Sequence, residues 1–131
     1  MIEKYGKKYG DALYTLFRVI VGIFFLFHGL MKFGVMSDMM VSVGTMFWFA
    51  GVIEILVGIA VTFGLFTRLA AVLGALEMVV AYVVGHMPTG FNPITNGGEL
   101  ALLFFAAFLV MIVMGSGVFG LERLMMKKET F

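Results

Sequence analysis

The stretch TMFWFAGVIEILVGIAVTFGLFTRLAAVLGALEMVVAYVVGHM, residues 45–87, decides the fold. Its only Asp, Glu, Lys or Arg residues are Glu54, Arg68 and Glu77, and its one polar break is the Thr67-Arg68 pair. Either side of that break, the apolar runs 45–66 and 69–87 each come near the roughly 20 residues a helix needs to cross a bilayer. Two such runs joined by so short a link predict an antiparallel pair of membrane helices. Working outward, 12–33 and 99–118 have the same character. The expectation is an all-α, integral membrane four-helix bundle, a single domain over 1–131. The composition agrees: 62% of residues are hydrophobic, 13% are charged and the mean hydropathy is +1.08, more apolar surface than a soluble chain of this length can bury.

Lys4, Lys7 and Lys8 precede the first run as they would in a signal peptide. The run is too long, contains Arg18 and has no small-x-small site before Lys32, so it reads as a retained first helix. With four spans the two ends share a side, which collects Lys4, Lys7, Lys8, Arg68, Arg123, Lys127 and Lys128 and leaves Lys32 opposite. The positive-inside rule then predicts both termini cytoplasmic, in a multi-pass protein of the cell (plasma or inner) membrane. A net charge of +1 gives no reason to expect a nucleic-acid partner.

Ionisable residues inside such spans face protein or a water-filled cavity and mark candidate sites. Arg18, Gly22, Phe25, Gly29 and Lys32 fall on one stripe of the first helix, as do Gly51, Glu54 and Gly58 on the second and Ala70, Gly74, Glu77, Ala81 and Gly85 on the third. Small residues let membrane helices approach closely, so these stripes are predicted contacts and their charges point into the bundle. Arg18 is expected to reach Glu54 or Glu77. Two acids against one base leave one carboxylate without a counter-charge, the arrangement of a catalytic, proton-handling site, although the same trio would serve as a static ionic staple. The fourth helix, with Ala106 and Ala107 as its mid-span small residues, is expected at the periphery or against another subunit.

A second cluster is predicted at the outer ends of the helices. His28, Lys32, His86, Asn96 and Glu99 lie there, framed by Trp48 and Tyr82. Histidine, carboxylate, amide and aromatic faces together suit a quinone head group, whose carbonyls accept hydrogen bonds. Trp and Tyr at this depth also occur as ordinary interfacial belt residues. Haem on His28 and His86, or copper on the 12 methionines, are weaker readings, because no other haem signature or tight methionine array is present. With no cysteine, the chain offers neither a disulfide nor a thiolate ligand or nucleophile. Both prolines, Pro88 and Pro93, lie in the outer loop, which predicts four uninterrupted spans and argues against a transporter with broken helices.

The ordered set Arg18, Gly22, His28-Gly29, Lys32, then Glu54-x-x-x-Gly58, Gly64-Leu65-Phe66-Thr67-Arg68-Leu69-Ala70-Ala71, Asn96-Gly97-Gly98-Glu99 and Leu121-Glu122 resembles the DoxX family. That resemblance implies a small four-helix membrane protein similar to the membrane subunit of thiosulfate:quinone oxidoreductase. It also implies a redox setting, with a soluble redox partner supplying electrons. The family's polar positions fall on Arg18, Lys32, Glu54, Arg68, Asn96 and Glu99. Two functions follow as expectations: a quinone-interacting oxidoreductase subunit, or a non-enzymatic solute or proton-coupled carrier. A membrane scaffold is the third, and homo-oligomerisation is compatible with each.

Overall fold

The computed structural model describes residues 2–127; Lys128 of the basic tail lies outside the described residues. It is all-helical, and the described residues contain no strand, only an isolated bridge between Phe33 and Met40. Helix α1 runs Ile2–Met31, α2 Met46–Phe63, α3 Thr67–Val80, α4 Glu99–Met114 and the short α5 Leu121–Met126. The first helix therefore begins well before the predicted span, and its first two turns stand clear of the bundle with an exposed Lys7–Glu3 pair at 3.1 Å.

Three helices are long and apolar enough to cross a bilayer, Glu3–Met31, Met46–Phe63 and Thr67–Thr89, and the apolar α4 is shorter at 16 residues. Every one of the four presents outward leucines near 60% exposure: Leu13, Leu56, Leu76 and Leu103. Such a sheath has no place in water and is the outer coat of a protein surrounded by lipid.

The small-residue stripes of α1 and α2 meet as predicted. A methyl group added at Gly58 would lie 2.5 Å from the backbone nitrogen of Leu26, and one at Gly22 would lie 2.6 Å from that of Thr62. Gly29 would collide in the same way with the Gly51 carbonyl at 2.8 Å. The two backbones are thus in direct contact along most of their shared length. On the other side of the bundle, Gly74 of α3 makes room for the ring of Phe108. Phe25 of α1 packs edge-on against Phe108 and Phe104, with centroids at 4.8 and 5.1 Å, and this aromatic group is the centre of the core. Helix α4 is therefore joined to the core through α3 and Phe25, not left at the margin.

Two helix ends differ from expectation. Helix α4 stops at Met114 rather than 118, because Gly115 takes φ 69° and Gly117 φ 70°, conformations that end a helix. The Tyr14 hydroxyl donates to the Gly115 carbonyl at 2.5 Å and anchors this exit to α1. The third span is interrupted: after Val80 it continues as a π-helical turn, Ala81–His86, and a 3₁₀ turn, Met87–Thr89. Pro88 has no N–H to donate, and the N–H of Met87 before it reaches back five residues to the Tyr82 carbonyl.

Gly58→Ala should lower the midpoint of thermal unfolding in mild detergent, at a cost of about 1–3 kcal/mol for overpacking. Ala at Gly85, where nothing lies within 4 Å, should be close to neutral in the same measurement.

Candidate functional site

Close glycine contacts fix the antiparallel register of α1 and α2. With Gly22 beside Thr62, Leu26 beside Gly58 and Gly29 beside Gly51 and Ile55, Glu54 lies level with the C-terminal end of α1. Arg18 is level with the opposite end of α2, about 18 Å from Glu54 along the axis. The expected Arg18–carboxylate pairing is accordingly replaced. Lys32 donates to Glu54 in a short, buried ion pair, while Arg18, 1% exposed, donates through Nη1 to the Val61 carbonyl and, at 2.9 Å, to that of Thr62.

Arg18 thereby holds the last turn of α2, where free carbonyls carry the negative end of the helix dipole. Glu122, also 1% exposed, does the reverse for α3. Its carboxylate accepts from the Phe66 N–H at 2.8 Å at the start of that helix, and its own N–H donates to the Gly64 carbonyl at 3.1 Å. A cation on one helix end and an anion on the next brace the 64–66 turn, where Gly64 and Phe66 both have positive φ. Arg18 is therefore part of a structural brace at the turn end of the bundle. Glu122 is absent from the predicted site residues; the Leu121-Glu122 pair of the family pattern was the available signal.

At the loop end, a cavity of about 450 Å³ opens among α1, α2, α3 and α4. The two clusters predicted separately share it: Glu54 and Glu77 line it together with Lys32, His28 and His86. Phe25, Phe47 and Phe104 give it apolar walls. His28 stands edge-on to Phe104, with centroids at 5.6 Å and planes at 85°. Both Glu77 carboxylate oxygens are buried and make no hydrogen bond among the described residues. A buried polar atom without a partner is uncommon and costly, so Glu77 is a group in this cavity still able to bind something.

The remaining predicted residues surround the cavity without lining it. Asn96 organises the loop: its amide donates to the Gly90 carbonyl at 2.8 Å and the Tyr82 hydroxyl at 3.3 Å, and its Oδ1 accepts from the Gly98 N–H at 2.8 Å. His86 Nδ1 lies 3.2 Å from the Asn96 carbonyl. A carbonyl can only accept, so this bond places a proton on Nδ1. Glu99 is exposed in the first turn of α4. Trp48 is half-buried against Phe33 and Phe49, centroids 6.4 and 5.1 Å away. The π turn passes beside the cavity, and Ala81, Val84, Gly85 and His86 from it contribute to the lining.

A family model described as DoxX matches residues 13–87, from the membrane part of α1 through the π turn. This chain belongs to the DoxX family. The match contains Arg18 and all five ionisable residues of the cavity. Among DoxX relatives, a Haemophilus influenzae protein described as uncharacterized is 37% identical over 93% of this chain and 97% of its own length. The Bacillus subtilis protein named "Putative oxidoreductase CatD" is 30% identical over 86% of each chain. No solved structure matches this chain.

Removing Lys32 alone strands Glu54 in an apolar setting, a loss of about 3–5 kcal/mol for a buried pair, whereas removing both charges is far less costly. Lys32→Met should therefore unfold at a lower temperature in detergent than the double variant Lys32→Met/Glu54→Leu.

Proposed function

We propose that this protein is the membrane subunit of a quinone-linked oxidoreductase system, with the quinone ring in the loop-end cavity. The observation that carries the reading is the unpartnered Glu77 carboxyl in a chamber whose aromatic and aliphatic walls also carry Lys32, Glu54, His28 and His86. A quinone ring needs apolar faces and hydrogen-bond donors at its carbonyls, and a volume of about 450 Å³ falls in the range of small-molecule sites. Lys32 and His28 are the donors available there. Reduction of a quinone takes two electrons and two protons. A soluble redox protein supplies the electrons, and Glu77, with Glu54 beside Lys32, takes up and passes on the protons. The oxidoreductase name of the Bacillus subtilis relative favours the same class.

A carrier is the second reading, favoured by the π turn beside the cavity, since broken helices often form transport sites. The proline positions, which counted against such a break, do not exclude it. In either case the protein sits in the cell membrane with both termini cytoplasmic, so the cavity opens near the outer face.

Mass spectrometry of the organic extract from protein purified in mild detergent should show near-stoichiometric quinone. Glu77→Leu should lose it by about tenfold while melting higher than wild type, because an unsatisfied buried group costing about 1–3 kcal/mol has been removed. Background quinone in both proteins would sink the redox reading. Loss of solute flux in Glu54→Gln would then favour the carrier. Because the chain has no cysteine, orientation is tested with Lys8→Cys and Thr95→Cys. In intact cells an impermeant maleimide should label only the second, and the first only after lysis.

A further inference from the structure

Helices α1 and α4 are neighbours but pack thinly against each other, mainly through Phe25 against Phe104 and Phe108. Toward the lipid, the seam between them widens into a second space of about 520 Å³. Its walls are hydrocarbon, from residues such as Phe24 on α1 and Leu103 and Ala107 on α4. His28, Leu100 and Phe104 line this groove and also line the polar cavity. The edge-on His28–Phe104 contact is therefore a partition with a polar chamber on one side and a lipid-facing channel on the other.

We propose that the groove is the tail channel of the cavity's ligand, which is an amphiphile: a hydrogen-bonding ring in the cavity and one hydrocarbon tail leaving past His28 and Phe104 to lie between α1 and α4. The inference rests on the quinone reading and narrows it to long-tailed, membrane-resident quinones. Adjacency argues for this occupant, since the groove and the cavity lie on either side of three shared wall residues. In a bilayer a tail gains little from leaving lipid for an apolar groove, so the channel contributes orientation. It fixes where the ring lies relative to Glu77.

The test uses a dimethoxy-methyl-benzoquinone with a decyl tail carrying an aliphatic diazirine, photolysed with the full-length protein in detergent. The same ring without a tail is the competitor. Crosslinks should concentrate on the peptides containing Phe24 and Leu103, and saturating competitor should lower them by about tenfold through mass action. Ala107→Phe, which fills the groove, should reduce labelling of the α4 peptide. If the tailless ring is retained in equilibrium dialysis but the label spreads over Leu56 and Leu76, or resists competition, the tail channel is wrong and the quinone reading stands. Groove labelling by a diazirine phospholipid that the ring does not displace likewise overturns the tail channel alone. No retention of the tailless ring overturns both.

Discussion

Backbone contact between α1 and α2 is the constraint on which the rest depends. Gly22, Gly29 and Gly58 have no room for a methyl group, so the two helices can meet in one register only. A slip by a single residue would drive a side chain into a neighbouring main chain. That register decides which charges meet: it brings Lys32 to Glu54 and sends Arg18 to the opposite end of α2. In hydrocarbon, where water cannot solvate a misplaced charge, geometric pairing is also an electrostatic sorting.

The two ends of the bundle carry different burdens. At the turn end Arg18 and Glu122 answer the dipoles of α2 and α3, and Tyr14 ties α1 to the exit from α4. Each of these bonds ends on backbone, so these side chains serve the structure of that end. At the loop end Asn96 and Tyr82 brace the 90–98 segment from outside, and the interior is left open. The orphaned Glu77 lies in this open half, where a loss of stability is tolerable if the group serves a ligand.

Much of this was legible in the sequence because membrane helices announce themselves by run length and their contacts by glycine spacing. The helical architecture, the meeting of the Gly22 and Gly58 stripes and the convergence of His28, Lys32 and His86 follow from those two patterns. The partner of Arg18 did not, since periodicity gives the face of a residue but not its level against the neighbouring helix. Nor did the π turn: Pro88 was visible, but the apolar period before it gives no sign of where the helix widens. Glu122 looked like a solvated tail residue because its partner, the Phe66 N–H, is 56 positions away. The early end of α4 was half legible, for Gly115 and Gly117 stand inside the predicted span 99–118 and their positive φ ends the helix before it.

Glu77 is the eleventh residue of the 23-residue span Thr67–Thr89, close to its middle. A proton arriving there from either side has crossed about half of the membrane, and with it about half of the transmembrane potential, worth roughly 1 kcal/mol for each 100 mV. The occupancy of this one carboxyl by a proton is thereby tied to the electrical state of the membrane. Lys32 and Glu54, bound to each other, carry no net charge through that field. Energisation of the membrane would act on this bundle through Glu77.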